Sequence, residues 1–264
     1  MTYGKENKEA KPAELSIVIP VYNSQISIEI VVTSLLRLYN HLFSLEIILV
    51  NDGSKDDSRR VCENLGDQYT NVIVLHHETN RGQQLALMTG LKHCRGDLVV
   101  LMDDDMQNPP SEVIKLINKI NEGYDVVMGQ RMINNQSWIR QLASRLNHFI
   151  VFMSTNRRIS FSNFVIMRRA IVTMIIQNQS PKPVILGPLL KSKASMANTL
   201  TEHHQRKHGK SNYNLMKLLN YWIKAVPYYM SPRVKYSILL MSIILVVGLT
   251  AGVYFIMVPG HIRP

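Results

Sequence analysis

From Leu15 to Val127 the chain alternates short apolar runs with longer amphipathic stretches. LSIVIPV, LEIILV, NVIVLH, GDLVVLM and YDVVMG are near-continuous apolar runs, and each predicts a strand. Between them the periodicity changes from two to about 3.6. It predicts helices over 26–39, from Lys55 or Asp56 onward, through QQLALMTGLKHC, and over SEVIKLINKINEG behind the Pro109-Pro110 start. Apolar strands alternating with helices indicate an α/β fold: a mostly parallel sheet covered by helices on both faces. Ligands of such sheets bind beyond the carboxyl ends of the strands. Asn23 follows the first strand, Asp52 ends the second, and Asp103, Asp104 and Asp105 follow the fourth.

After Gly129 the rhythm breaks. SWIRQLASRLNHFIVFM places Trp138, Leu142, Leu146, Phe149, Ile150 and Met153 on one helical stripe, which suits a core-facing helix or one lying in a membrane interface. NLMKLLNYWIKAVPYYM has the same pattern, with Trp, Tyr and Lys beside its stripe, and is read as an interfacial helix. The uncharged run Tyr236–Val258 is long enough to cross a bilayer as a helix, which takes about 20 residues. Basic residues flank it on the N-terminal side, so the positive-inside rule puts the chain before Tyr236 in the cytoplasm. The expected organisation is a flexible lead over 1–14, a catalytic domain over 15–212, and a juxtamembrane helix over 213–235. A transmembrane helix over 236–258 and a tail over 259–264 complete it.

The chain carries a net charge of +11, so its partners are expected to be anionic. Its two cysteines, Cys62 and Cys94, form no CxxC pair and suit a reducing compartment. The basic residues crowd toward the apolar run, where anionic lipid attracts them. Lipid phosphate and nucleotides are therefore expected partners, and nucleic acid is not. Assembly with further copies of the chain is compatible with the sequence.

Two phosphate-binding schemes are absent: there is no GxxxxGK[ST], and the first strand ends in PVYN rather than GxGxxG. The acidic run offers a different solution. Two carboxylates one residue apart at a sheet mouth can share a hard divalent cation, Mg²⁺ or Mn²⁺, with a substrate diphosphate. The cluster EHHQRKH (with His203, His204 and His208) is not read as a metal site, because the acidic run already serves a metal. His76 and His77 are expected at the surface or rim. KSKASMANTL, with Arg168 and Arg169, is expected to form a solvated or lipid-facing basic region.

The ordered set SIVIPVYN, ILVNDGSKDDS, NRGQQLALMTGLKHCRGD, VLMDDDMQNPP and MGQR resembles the family 2 glycosyltransferases, which have the GT-A fold. The likeness is strongest over about Leu15–Arg131. Within that family DDDMQNPP and RKHGKSNY look like elements of the polyprenyl-phosphate sugar transferases, the dolichol-phosphate-mannose-synthase-like group. The resemblance implies an inverting transfer of a sugar from a UDP-, GDP- or dTDP-linked donor to a polyprenyl phosphate, undecaprenyl or dolichyl, at the cytoplasmic membrane face. Pro20, Tyr22, Asn23 and Asp52 would line the donor base and ribose, with Arg81 and Gly82 at the border. Asp103, Asp105 and Gln107 would ligate Mg²⁺ or Mn²⁺, and Asp104 would face the donor. Arg131, Arg140 and Ser144 would receive the acceptor phosphate. Arg206, Lys210 and Ser211 would belong to a loop over the diphosphate.

Two positions depart from that group. Ser24 stands where Glu is frequent. Asn163 stands where several relatives carry an acid, and would hydrogen-bond an acceptor without taking a proton. One alternative is a family 2 transferase acting on a hydroxyl of a lipid-linked or saccharide acceptor. Another, of a different class, is a non-catalytic membrane or nucleic-acid binding module.

Overall fold

The strands β1 (Leu15–Val21) and β2 (Leu45–Asp52) are buried along their whole lengths, which is why their sequences are apolar on both faces. The computed structural model describes residues 14–131, 159–178, 185, 188–189, 192–204 and 236. The chain groups into two units, Met1–Gln141 with Ile159–Lys210, and Leu142–Arg158 with Ser211–Pro264. Every described residue but Tyr236 belongs to the first.

In chain order the further elements are α1 (Ile28–Tyr39), α2 (Ser58–Gln68), β3 (Val72–His77), α3 (Gln83–His93) and β4 (Leu98–Leu101). A 3₁₀ turn, Pro110–Glu112, runs into α4 (Val113–Ile120); β5 (Val126–Arg131), β6 (Val165–Arg168), α5 (Arg169–Gln177) and β7 (Met196–Thr201) follow. The sheet order is β3-β2-β1-β4-β6-β5-β7. Only β6 runs antiparallel, to β4 on one side and β5 on the other. The expected mostly parallel sheet with helices on both faces is therefore observed.

Side-chain alternation divides the core in two. Leu15, Ile17 and Ile19 of β1 pack with Leu35 of α1, Leu65 of α2 and Leu116 of α4. Val18, Ile48 and Val50 point the other way, to Leu87 and Leu91 of α3 and Val172 of α5. Each fully buried Leu or Ile contributes about 1.5–3 kcal/mol of transfer free energy. Gly90 lets α3 lie close to the sheet, since a Cβ there would stand 2.3 Å from Val18 Cγ1.

Helix starts are later than periodicity suggests because side chains and turns occupy the preceding residues. Ser24 O accepts from the N–H groups of both Ser27 and Ile28. Asp56 Oδ1 accepts from the N–H of Ser58 at 3.0 Å, a local turn that delays α2.

Three expectations are corrected. KSKASMANTL is not simply a solvated or lipid-facing basic region: Met196–Thr201 form β7, in parallel register with Val126–Arg131. Arg168 and Arg169 serve the interior of the fold. Arg168 donates to the carbonyls of Tyr124 and Ile120, and Arg169 to those of Cys94 and Gly96. His77 is buried rather than at the rim, for a reason given below.

Among the described residues no helix is long and apolar enough to cross a membrane. The helices expected over 137–153 and 213–235 lie outside the described residues, as does the 236–258 span apart from Tyr236.

Candidate functional site

The carboxyl edge of the sheet collects the polar residues that the apolar strands exclude. β1 ends at Val21 and passes into Tyr22 and Asn23, the latter with φ of 53°. Asparagine is among the few residues that tolerate this left-handed backbone. Its Oδ1 accepts from the N–H of Lys55 at 2.8 Å, and its own N–H donates to Ser54 Oγ at 3.1 Å. The loops after β1 and β2 are thus stitched into one wall. Pro20 lies inside β1, buried, beyond the last β1–β4 pair (Val18 with Leu101), where its missing N–H breaks no bond to β4.

Asp52 ends β2 and is buried. Its Oδ1 accepts from the N–H of Arg81 at 2.9 Å and lies 2.7 Å from His77 Nδ1; its Oδ2 accepts from the N–H of Gly82 at 2.7 Å. His77 Nε2 in turn lies 3.0 Å from Thr89 Oγ1 in α3. A buried carboxylate requires such partners. Gly53, with φ of 63°, lets this wall close, because a Cβ there would stand 2.5 Å from backbone atoms of Thr79 and Asn80.

β4 leads through Met102 into the acidic loop. Asp103 Oδ1 accepts from Gln83 Nε2 at 2.5 Å. Asp104 Oδ2 accepts from the N–H of Tyr22 at 3.1 Å. Burial pushes the Asp104 carboxyl up to about 6; hydrogen bonds from Ser24 and Tyr22 oppose the rise and the charge of Asp105 adds to it. Asp105 Oδ1 accepts from the N–H of Gln107 at 3.0 Å. Met106 between them has φ of 61°, a backbone conformation unfavourable for a long side chain, and packs against the core.

The register places the remaining residues at this edge. Arg131, the last residue of β5, pairs with Thr201, the last of β7. Because β6 is antiparallel, its beginning lies where β4 ends, with Val165 opposite Leu101. Asn163, exposed just before β6, is therefore at the same edge. Burial lowers the Arg131 guanidinium from its usual value, while the charges of Asp105 and Asp103 act against that. The three charges share one neighbourhood.

The chain after β7 is fixed to the acidic loop. The N–H of His204 donates to Gln107 O at 2.9 Å, and His203 Nδ1 is 3.5 Å from Asn108 Oδ1. The N–H of Glu202 donates to buried Glu112 Oε2 at 2.8 Å. Burial pushes the His203 imidazole down to about 4, aided by Arg131 and opposed by Asp105, so it is neutral near pH 7.

The structure thus brings Tyr22, Asn23, Asp52, Arg81, Gly82, Asp103, Asp104, Asp105, Gln107, Arg131 and Asn163 to one edge. Arg140, Ser144, Arg206, Lys210 and Ser211 lie outside the described residues. His77, Gln83 and His203 join the site unannounced. Each is recruited by a partner far along the chain, although Gln83 lies within the NRGQQLAL element and His203 within EHHQRKH.

Among the described residues no three His, Cys, Asp or Glu side chains gather into a ligand set. A site with one or two carboxylates fits Mg²⁺ or Mn²⁺ when a diphosphate completes the shell, and does not fit an all-protein cage.

The chain matches the profile of glycosyl transferase family 2 over residues 16–178. It is similar to the undecaprenyl-phosphate 4-deoxy-4-formamido-L-arabinose transferase of Edwardsiella ictaluri (strain 93-146), at 33% identity over 78% of this chain and 65% of the relative. The transferase of that name from Pseudomonas fluorescens (strain SBW25) is 35% identical over 78% of this chain and 62% of its own length. That of Enterobacter sp. (strain 638) is 32% identical over 92% and 76%. The chain spans less than two thirds of the first two relatives. Glucosyl-3-phosphoglycerate synthase of Mycobacterium tuberculosis shares the fold, with a TM-score of 0.60 at 22% identity over 78% of this chain and 73% of that one. With its sheet, its acidic loop and its profile match in agreement, this chain belongs to glycosyl transferase family 2.

Proposed function

We propose that this protein is a metal-dependent inverting glycosyltransferase. It moves a sugar from a nucleotide-sugar donor to a polyprenyl phosphate at the cytoplasmic face of a membrane. One observation carries the proposal: Asp103 and Asp105 follow the carboxyl end of β4 and Arg131 ends β5, at the same edge of the sheet. One site then offers acids for a cation and its diphosphate, and a guanidinium for a second anion. The relatives named above are undecaprenyl-phosphate transferases, and the structural neighbour was crystallised with Mn²⁺ and uridine diphosphate.

In this proposal Tyr22, Asn23 and the loop held by Asp52 form the nucleoside wall, and Asp104 faces the donor. Asp103 and Asp105, with Gln107 beside them, hold Mg²⁺ or Mn²⁺. The cation, when bound, supplies Lewis-acid neutralisation of the departing diphosphate. Arg131 receives the acceptor phosphate, which suits a planar guanidinium with paired donors. Arg140, Ser144 and Asn163 would assist it, and Arg206, Lys210 and Ser211 would cover the diphosphate.

A phosphate monoester is largely ionised near pH 7, its second pKa being about 6, so the acceptor needs no strong general base. An acceptor oxygen forms the new bond to C1 as the bond from C1 to the diphosphate oxygen breaks. The electron pair of that bond leaves with the nucleoside diphosphate. Attack from the opposite face inverts C1.

The test supplies undecaprenyl phosphate, Mn²⁺ and UDP-, GDP- and dTDP-sugars in turn to wild type and to Asp105→Asn. Acid-labile lipid-linked sugar, formed by wild type and lost in the variant, is the expected result. Transfer only to hydroxyl acceptors would replace the acceptor assignment. Turnover unaffected by Asp105→Asn would refute the cation assignment.

A further inference from the structure

Gln83 is the first residue of α3 and directly follows Gly82. Its backbone is held from two sides. Behind it, the N–H groups of Arg81 and Gly82 both donate to Asp52. Ahead of it, in the same helix, Thr89 Oγ1 lies 3.0 Å from His77 Nε2, whose Nδ1 meets Asp52 at 2.7 Å. Asp52 and His77 thus tie both the entry and the middle of α3 to the ends of β2 and β3. From this fixed base the Gln83 amide reaches Asp103 Oδ1 at 2.5 Å, twenty residues further along the chain.

The chemistry of the donor matters. A lysine or arginine in this place would form an ion pair with Asp103 and cancel charge that a cation needs. A neutral amide donor fixes the plane of the carboxylate and leaves its charge in place. Groups that hydrogen-bond ligating carboxylates commonly set metal affinity in this way.

We propose that Gln83 is a positioning residue for the cation site, holding Asp103 from the start of α3. The inference rests on the proposed function, because it presumes that Asp103 meets a cation. It assigns to the glutamine after Arg81-Gly82 a contribution to cation affinity, separate from nucleotide contact.

The experiment uses the full chain in detergent micelles, as wild type, Gln83→Met and Asp105→Asn. Gln83→Met keeps the length of the side chain and removes its N–H donors. Free Mn²⁺ is measured by electron paramagnetic resonance in titrations with UDP, GDP or dTDP. Nucleotide affinity without metal and the melting temperature are measured in parallel. The expected result is Mn²⁺ binding weakened about tenfold or more in Gln83→Met, as for other groups supporting metal ligands. Melting temperature and metal-free nucleotide affinity should match wild type, and steady-state assays should show a higher Mn²⁺ requirement. Mn²⁺ affinity within twofold of wild type would overturn the inference while leaving the proposed function intact. An equal loss of nucleotide affinity and melting temperature would also overturn it, by reducing Gln83 to a structural role. Wild type that binds no Mn²⁺ with any of the three nucleotides would overturn both.

Discussion

Asp52→Asn changes one atom of the proposed nucleoside wall and should loosen it selectively. The carboxylate accepts the N–H groups of Arg81 and Gly82 and meets His77, all at 2.7–2.9 Å. An asparagine retains one acceptor oxygen and turns a donor toward one of these donors. Hydrogen bonds to a charged group are worth about 1.5–3 kcal/mol each, and a buried unsatisfied donor costs about 1–3 kcal/mol. Keeping part of the network through the remaining oxygen, the net loss should be about 2–4 kcal/mol. The loss falls first on the 79–82 loop, because β2 retains its ladder with β1 and β3. At a factor of ten per 1.4 kcal/mol, local opening should rise by roughly 30-fold to several hundredfold. Hydrogen–deuterium exchange resolved to the Arg81 and Gly82 amides measures this directly, with core amides of β1 as the internal reference. Donor KM should rise only as far as the open loop becomes populated, with kcat less affected. Unchanged exchange at Arg81 and Gly82 would refute the assignment of Asp52 as the organiser of this loop.

Gly90→Ala should destabilise the fold by about 1–3 kcal/mol in urea unfolding, from overpacking against Val18, despite alanine's better helix propensity. Adding Val18→Ala should recover part of that cost, since the two sites share one contact; strict additivity would count against the clash. Tyr39→Phe should cost about 1–3 kcal/mol at pH 8, because the hydroxyl donates to Pro110 O at 2.8 Å and accepts the N–H of Ile114 at 3.2 Å. Burial pushes the Tyr39 phenol up to about 12. The folded state therefore keeps a proton that the unfolded chain loses near pH 10, so this stabilisation is complete below pH 10 and disappears as pH rises through about 12. Stability of wild type should fall between pH 10 and 12 more steeply than that of Tyr39→Phe, by about 1.4 kcal/mol per pH unit. Parallel pH profiles would refute the buried-phenol assignment.

Much of the first half of the fold is legible in the sequence because β1 and β2 are buried along their whole lengths, and β3 and β4 are apolar through most of theirs. The acidic loop is legible for the opposite reason: three adjacent carboxylates have no stabilising role of their own at a strand end. β7 escapes notice because its sequence, MANTLT, is mixed and among the described residues it pairs only with β5. Its partner strand lies 70 residues earlier, and periodicity carries no information about such a distance. His77 misleads for the same reason. A histidine at the end of a strand is usually exposed, and only Asp52, from the neighbouring strand, explains its burial. Gln83 and His203 are polar residues whose roles arise from tertiary proximity alone.

The single antiparallel strand has a consequence of parity. Between Arg131, where β5 ends, and Val165, where β6 begins, the chain leaves the sheet and re-enters it without changing ends. A crossover between parallel strands would have to travel the depth of the fold; this excursion need not. Residues 132–158 are therefore bracketed by two fixed posts at the edge that carries Asp103, Arg131 and Asn163. The strand reversal thus lets one chain segment meet the acidic edge at both of its ends, through Arg131 and Asn163.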